Sequence, residues 1–209
     1  MSSGERHILE RVDAYYTEKL RAHGATHRGV DWNSPEAQTV RFEQIVKILP
    51  SAGAFSINDY GCGYGALLEY IRPMHSEIEY RGYDISQAMV DEARALHRDD
   101  AHAAFTSQSA DLRPEDYSVA SGIFSVKLET PNGPWAQYAT ATIERMARLS
   151  RKGFSFNMLT AYSDPEFRRE TLYYADPHYW FDHCRLNYSR NVALLHDYGL
   201  YEFTILVRY

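Results

Sequence analysis

Closely spaced glycines follow a short apolar segment in the first third of the chain, and this feature constrains the fold more than any other. We predict a strand over Phe55–Tyr60, then Gly61, Gly63 and Gly65, then a helix over 66–72. Glycine lets the backbone turn sharply, and it lets a ligand reach bare main chain at the start of a helix. The sequence therefore predicts a strand–turn–helix unit that binds a ligand.

Strands and helices continue to alternate after this turn. The patterns predict strands over 78–84, 103–107, 119–126 and 154–159, helices over 86–97 and 134–149, and a helix capped by Asp176-Pro177. The chain closes with two predicted strands, 192–198 and 201–209, joined by a tight turn at Gly199-Leu200. Such alternation favours an α/β fold with a mostly parallel sheet, helices on both faces and a C-terminal antiparallel β-hairpin.

Two predicted helices precede this alternating region. One covers residues 6–23, and the second begins at Ser34-Pro35, which has the form of a helix start, and reaches about residue 49. We expect residues 1–50 to form a helical lid or cover and residues 51–209 the main domain. A chain of 209 residues suits one globular domain overall.

Composition excludes several classes of protein. The chain is 44% hydrophobic with no apolar run long enough to cross a membrane, and its six N-terminal residues do not resemble a signal peptide. Its net charge of −6 makes a nucleic acid an unlikely partner. Two cysteines provide no disulfide framework, so we expect a cytoplasmic protein, and we predict no metal site.

Acidic residues near the glycine turn indicate the kind of ligand. Asp84 closes the next predicted strand, where a carboxylate can accept the hydroxyls of a ribose. Asp111, beyond the third strand, can meet an exocyclic amine. Dinucleotide-binding turns have a different spacing, Gly-x-Gly-x-x-Gly. Asp59, two residues before the first glycine, would repel a pyrophosphate but suits a ligand that carries an ammonium and a sulfonium.

The segments 59–65 (DYGCGYG), 83–86 (YDIS) and 109–112 (SADL) resemble the successive cofactor motifs of class I S-adenosylmethionine-dependent methyltransferases. The resemblance covers about residues 30–209 and implies a Rossmann-like three-layer sandwich with a seven-stranded, mostly parallel sheet. The cofactor that it implies is S-adenosyl-L-methionine. The implied contacts are Asp59, Gly61, Cys62 and Gly63 with the methionine end, Asp84 with the ribose, Ile85 and Met89 beside the adenine, Ala110, Asp111 and Leu112 at the adenine edge, and Phe124 at the floor.

Two further residues are candidates for the cofactor site. Arg41 lies one turn inside the second predicted helix, where it could clamp the methionine carboxylate or form a surface salt bridge. Trp32, in the loop before that helix, could stack on the cofactor or on the acceptor, or it could pack against other side chains of the protein.

The acceptor should lie beyond the carboxyl ends of the strands, near residues 125–129, 157–162 and 196–198. Methyl transfer is a direct displacement that needs a base only when the acceptor must lose a proton. We name Tyr16, His27 and His196 as candidates for such a role, each against a packing or surface role. The chain has neither an Asn/Asp-Pro-Pro-Tyr/Phe motif after strand four nor a Pro-Cys pair.

These observations favour transfer of a methyl group to O or N of a small-molecule acceptor. Two alternatives stay open: a methyltransferase that acts on a protein or RNA, and a cofactor-binding scaffold without turnover. The sequence predicts neither the acceptor's identity nor the oligomeric state.

Overall fold

The computed structural model describes residues 3–209. Its helices are α1 (Ser3–His23), α2 (Pro35–Ile45), α3 (Ala66–Ile71), α4 (Gln87–Leu96), α5 (Asn132–Arg148) and α6 (Pro177–Asn187). Its strands are β1 (Phe55–Tyr60), β2 (Ile78–Tyr83), β3 (Ala103–Thr106), β4 (Glu115–Ala120), β5 (Ser150–Thr160), β6 (Tyr174–Ala175), β7 (Asn191–Leu195) and β8 (Glu202–Arg208).

The strands form one sheet in the order β3-β2-β1-β4-β5-β8-β7, with the short strand β6 paired to β5. Strands β1 to β5 run parallel to one another, whereas β8 runs antiparallel to both β5 and β7. The order reverses beside β1, and parallel sheets of this kind bind ligands at the carboxyl ends of the strands next to such a reversal. The predicted α/β fold, with its mostly parallel sheet and antiparallel C-terminal hairpin, is confirmed.

Two hydrophobic cores lie on opposite faces of the sheet, which gives the molecule three layers. One core is built from α5 and α6, with Trp135 and Trp180 fully buried. The other is built from α2, α3 and α4, with Ile45 and Val90 fully buried. Apolar residues recur along each helix at the spacing that faces the sheet, so each helix buries one stripe.

The boundaries of the fourth strand were wrong in the sequence prediction. The apolar segment 119–126 suggested one strand, but β4 spans Glu115–Ala120 and ends before Gly122, whose φ is +83°. The strand opens with Glu115, a buried acid paired with Arg113 at 2.8 Å, and that polar start concealed it. Residues after Ala120 turn away from the sheet.

The C-terminal hairpin has a longer connection than predicted. Strand β7 ends at Leu195 and β8 begins at Glu202, so residues 196–201 form a loop rather than a tight turn. Strand β6 was not predicted, because two residues are too few to show a pattern.

The two N-terminal helices occupy different positions. Helix α2 packs on β5 and β8 and contributes Phe42 to the second core. Helix α1 contacts α4 and buries Ile8 at the edge of the first core. None of the helices in residues 3–209 is both long enough and apolar enough to cross a membrane.

Candidate active site

The glycine turn after β1 adopts a backbone that other residues rarely accept. Gly61, Gly63 and Gly65 have φ values of +75°, +54° and +91°. A Cβ atom on Gly61 would lie 2.0 Å from the Ile123 side chain, and one on Gly63 would lie 2.9 Å from Val30. The turn therefore requires glycine for both its conformation and its close contacts, and it leaves main-chain atoms accessible to a ligand.

Asp84 follows β2 directly, and backbone amides hold its carboxylate in place. Its Oδ2 accepts a hydrogen bond from Gly63 N at 2.9 Å, and its Oδ1 accepts one from Ser86 N at 2.9 Å. Each carboxylate oxygen can accept a second hydrogen bond, so both keep capacity for a ligand's hydroxyl groups. Asp84 and the glycine turn are thus in direct contact through the hydrogen bond from Gly63 N.

Asp59 lies on β1 beneath the turn, and its side chain is buried. It accepts a hydrogen bond from the Tyr80 hydroxyl. Desolvation raises the pKa of Asp59 to about 7, although the Tyr80 hydrogen bond opposes this shift. Desolvation also raises the pKa of Asp84 to about 6. Two desolvated carboxylates in one site favour a ligand that brings positive charge.

A cavity of about 100 Å³ lies over the glycine turn at the carboxyl ends of β1 and β2. Helix α1 contributes Leu9, Val12 and Tyr16 to its wall. The predicted cofactor residues that line it are Trp32, Asp59, Gly61, Cys62, Gly63, Asp84, Ile85 and Met89. We call this the donor cavity.

Three predicted residues at the adenine edge lie outside the wall of the donor cavity. Ala110 and Asp111 belong to a short 3-10 helix, in which Asp111 accepts a hydrogen bond from Thr106 Oγ1 at 2.6 Å. Leu112 packs in the first core. These residues lie beyond β3 as predicted, but none of them lines the cavity.

Phe124 does not form the floor of the donor cavity. It is fully buried in the first core, and its carbonyl oxygen accepts a hydrogen bond from Trp135 Nε1 at 2.8 Å. Ile123 lines the cavity in its place. This difference arises because β4 ends earlier than predicted. A different side chain after the strand therefore faces the cavity.

Arg41 is held by a carboxylate of this chain and does not line the donor cavity. Its Nε donates to Glu202 Oε1 at 2.7 Å, and a second guanidinium nitrogen donates to the same oxygen. A third bond reaches the Ala37 carbonyl at 2.8 Å. Arg41 thus forms a buried ion pair rather than a surface salt bridge, and its contact with the methionine carboxylate stays a prediction.

A buried hydrogen-bonded chain extends from this ion pair to the loop after β4. Asn157 Nδ2 donates to Glu202 Oε2 at 2.8 Å, and Gly122 N donates to Asn157 Oδ1 at 2.7 Å. The Arg41 guanidinium also stacks over the Trp32 ring at 4.0 Å. A Cβ on Gly122 would lie 2.4 Å from the same ring. Trp32 is thus held between a guanidinium and the backbone of Gly122.

A second cavity, of about 490 Å³, adjoins the donor cavity. Tyr16, Val30, Trp32 and Gly122 line both. Its remaining wall comes from the segments 125–126, 159–174 and 199–202 and from Asp31, Asn33 and Arg41. We call this the acceptor cavity.

The three candidates for a catalytic role occupy different places. Tyr16 lines both cavities, and desolvation followed by the charge of Asp31 raises the pKa of its hydroxyl far above the ordinary value. Such a hydroxyl stays protonated and acts as a donor. His27 lines neither cavity, and His196 is exposed beside the Tyr162 ring, also outside both. The structure thus brings only Tyr16 to the site.

Several cavity residues were not predicted from the sequence. Tyr60 Oη and Ser121 Oγ are buried and have no hydrogen-bond partner within residues 3–209. They are the last residue of β1 and the first residue after β4. Ser121 could have been predicted if the end of β4 had been placed correctly. Tyr60 lies within the segment 59–65, which was already identified as a cofactor motif.

The chain matches proteins of known class. A family model described as a methyltransferase domain matches residues 57–153. A curated protein of Mycobacterium tuberculosis (strain ATCC 25618 / H37Rv), named "Putative methyltransferase Rv1506c", is 50% identical over 163 residues, which are 78% of this chain and 98% of that protein. The chain belongs to the class I S-adenosylmethionine-dependent methyltransferase family. The prediction of a methyltransferase is confirmed.

Solved structures share the fold of this methyltransferase at low sequence identity. Magnesium protoporphyrin IX methyltransferase from Synechocystis PCC 6803, with bound SAH, has a TM-score of 0.67 and 17% identity, covering 99% of this chain and 100% of its own. The N-methyltransferase NodS from Bradyrhizobium japonicum WM9, in complex with S-adenosyl-l-homocysteine, has a TM-score of 0.65 and 14% identity, covering 94% and 97%.

Proposed function

We propose that this methyltransferase binds S-adenosylmethionine in the donor cavity and methylates an oxygen or nitrogen of a small molecule in the acceptor cavity. The observation that carries the proposal is the wall shared by the two cavities, formed by Tyr16, Val30, Trp32 and Gly122. Direct displacement requires the donor and acceptor atoms to be held in contact and in line. Because the two cavities adjoin at these four residues, a methyl donor in one and an acceptor in the other would lie side by side.

The donor cavity fits the polar groups of S-adenosylmethionine. The free lone pairs of Asp84 suit the ribose hydroxyls, and Asp59 suits the positive charge of the methionine end. The unpartnered hydroxyls of Tyr60 and Ser121 provide further polar contacts. Gly61 and Gly63 present main chain where a side chain would collide with its neighbours.

The residues around the shared wall orient the reactants and exclude water. When bound, S-adenosylmethionine supplies a methyl group on a sulfonium, whose C–S bond breaks as a C–O or C–N bond forms. Sulfur leaves as a neutral thioether, and the acceptor's proton is lost to bulk solvent once the site opens. Trp32 and Tyr16 shield this region, and exclusion of water strengthens the interactions that align a displacement. Tyr16, as a protonated hydroxyl, donates a hydrogen bond to the acceptor.

We also propose that residues 1–33 form a lid over both cavities. The contact of Thr17 Oγ1 with Ser86 Oγ at 2.7 Å joins the lid to the start of α4, and the ion pair of Lys19 with Asp31 at 2.6 Å joins α1 to its own loop. The donor cavity of about 100 Å³ is smaller than the roughly 300 Å³ of a typical small ligand site. We therefore expect α1 and its loop to move outward when the cofactor enters and to close over it afterwards.

A fractionation experiment tests the proposed function. The protein is incubated with methyl-labelled S-adenosylmethionine and a bacterial extract, and the products are separated into low-mass and macromolecular fractions. Label in the low-mass fraction supports a small-molecule acceptor. Label confined to protein or RNA supports a methyltransferase that acts on a macromolecule. Cofactor binding without any transfer supports a cofactor-binding scaffold without turnover.

A further inference from the structure

The walls of the acceptor cavity combine aromatic rings with one cation that has no partner among residues 3–209. Its volume of about 490 Å³ falls within the range of sites for small organic molecules. The following inference rests on the proposed function, because it takes this cavity as the place where the acceptor binds.

Four charged side chains line the cavity, and two of them neutralise each other. Arg41 and Glu202 form the buried ion pair described above. Asp31 accepts hydrogen bonds from Lys19 Nζ at 2.6 Å and from the Tyr15 hydroxyl at 2.6 Å, so its charge is also balanced. Arg169 is the fourth, and its guanidinium has no ion pair or hydrogen bond with any other residue in the described range 3–209.

The neighbouring arginine, in contrast, is held by other parts of this chain. The Arg168 guanidinium donates to the carbonyl oxygens of Ser163 and Ala161 and lies over the Tyr174 ring at 5.2 Å. Arg168 therefore holds the loop between β5 and β6 in place, while Arg169 is left exposed at the cavity. A free guanidinium in a cavity whose other charges are balanced gives the site a net positive charge.

Ring and aliphatic side chains form most of the remaining wall. Phe167 and Tyr201 are exposed to 61% and 43%, and their rings are 5.8 Å apart at the rim. Other apolar members of the wall include Trp32, Val126, Leu159, Leu172 and Tyr174. Exposed aromatic side chains at the rim of a cavity favour a flat apolar ligand, which gains by stacking and by burial.

We propose that the acceptor of this methyltransferase is a flat, ring-bearing molecule with one carboxylate group, which Arg169 binds. Arginine donates two parallel hydrogen bonds to such a group, so it fixes both the position and the orientation of the acceptor. The acidic group then serves for recognition, and the atom that accepts the methyl group lies at the wall formed by Trp32 and Gly122. Neutral ring compounds and acids without rings are poor acceptors.

The test uses the full chain and pairs of compounds that differ in one charge. Hydroxylated or aminated benzoates, naphthoates and indole carboxylates are each compared with their primary amides as methyl acceptors. We expect at least one acid to be methylated with a kcat/KM ten or more times that of its amide. Equal kcat/KM values for acids and amides, or no methylation of any ring acid, would overturn the proposal.

Variants of Arg169 test whether its guanidinium causes the preference for acids over amides. Arg169→Gln is expected to raise KM for the acid about tenfold or more, with little change in KM for the amide. The Kd of S-adenosylhomocysteine should not change. Arg169→Lys should retain part of the preference for the acid over the amide. Arg190→Gln, the same charge change at an exposed residue outside both cavities, leaves KM unchanged. An Arg169→Gln variant with an unchanged acid preference contradicts the assignment. A wild-type protein that fails to bind S-adenosylhomocysteine would instead contradict the proposed function itself.

Discussion

Asp84 illustrates how a single side chain can be prepared for a ligand by the backbone around it. The amides of Gly63 and Ser86 fix both of its oxygens, so little side-chain freedom is left to lose when a ribose binds. We expect Asp84→Ala to weaken S-adenosylhomocysteine binding by about 1–3 kcal/mol, because ribose hydroxyls would be left without their acceptor. Calorimetric titration measures this change.

The control for this prediction is Asp91→Ala, which removes an exposed carboxylate from α4 and should leave the affinity unchanged. Equal affinities for Asp84→Ala and the wild type would show that the ribose does not bind at this residue. A preference of the wild type for NAD over the sulfonium cofactor would contradict the whole assignment of the donor cavity.

The raised pKa values of Asp59 and Asp84 predict a pH dependence. Between about pH 4 and pH 7 the folded protein keeps protons that the unfolded chain, with carboxyl pKa values of about 4, has released. Its free energy of unfolding therefore falls as the pH rises through that window. Positive charge favours ionised carboxylates, so the affinity for S-adenosylmethionine should increase over the same range.

Calorimetry at about pH 6, in buffers with different ionisation enthalpies, should detect proton release when the cofactor binds. Asp59→Asn, which keeps an acceptor for the Tyr80 hydroxyl, should remove much of this release. A cofactor affinity that does not change between about pH 5.5 and pH 7.5 is inconsistent with ionisation of these carboxyl groups on binding.

At the scale of elements, the chain from Arg41 through Glu202 and Asn157 to Gly122 joins α2, β8, β5 and the loop after β4. Loss of one partner of a buried ion pair leaves an uncompensated charge, so Glu202→Gln should lower the free energy of unfolding by about 3–5 kcal/mol. Thermal unfolding should show a midpoint lower by roughly 6–20 °C, at about 2–4 °C per kcal/mol. The double variant Arg41→Met, Glu202→Leu should recover a large part of this loss.

Glu144→Gln is the matched control, since Glu144 pairs with Arg148 at 3.4 Å on the exposed face of α5. Exposed pairs contribute about 1 kcal/mol or less, so its midpoint should change little. Similar midpoints for Glu202→Gln and Glu144→Gln would refute a structural role for the buried chain.

The lid prediction concerns α1 and the loop that follows it. Gly24 has a φ of +64° directly after the helix, and Arg28 is exposed in the loop. If this segment opens to admit the cofactor, trypsin should cleave after Arg28, and S-adenosylhomocysteine should slow that cleavage. Cleavage after Arg98, in the exposed loop after α4, provides the control. Unchanged cleavage after Arg28, with full activity after deletion of residues 1–24, would mean that α1 is not a lid.

The elements differ in how well the sequence predicted them, and the reasons are physical. Strand β1 and its turn were predicted because glycine spacing and an apolar strand are local signals. Strand β4 was misplaced because it begins with Glu115, whose charge is compensated by Arg113 and Arg81. The buried ion pair of Arg41 was missed for a different reason. Its partner, Glu202, is 161 residues away, and local patterns contain no information about such a contact.

At the scale of the whole molecule, the acceptor cavity could not have been predicted from the sequence. Its wall is assembled from the loop at 30–33, the loop after β4, the segment 159–174 and the loop between β7 and β8. These pieces meet only because β8 lies between β5 and β7 and brings residues 199–202 beside the end of β5. The sequence did predict the strand ends after β4 and β5 as the acceptor region, and the cavity includes parts of both.

A crystal structure with S-adenosylhomocysteine and a hydroxylated naphthoate bound together would show whether the two cavities hold donor and acceptor as proposed. We expect ribose hydroxyls within hydrogen-bond distance of Asp84 and the acidic group on Arg169. We also expect the thioether sulfur and the acceptor's hydroxyl to face each other beside Trp32 and Gly122. A sulfur atom that faces away from the acceptor cavity, or an acceptor bound elsewhere on the molecule, would contradict the proposed arrangement.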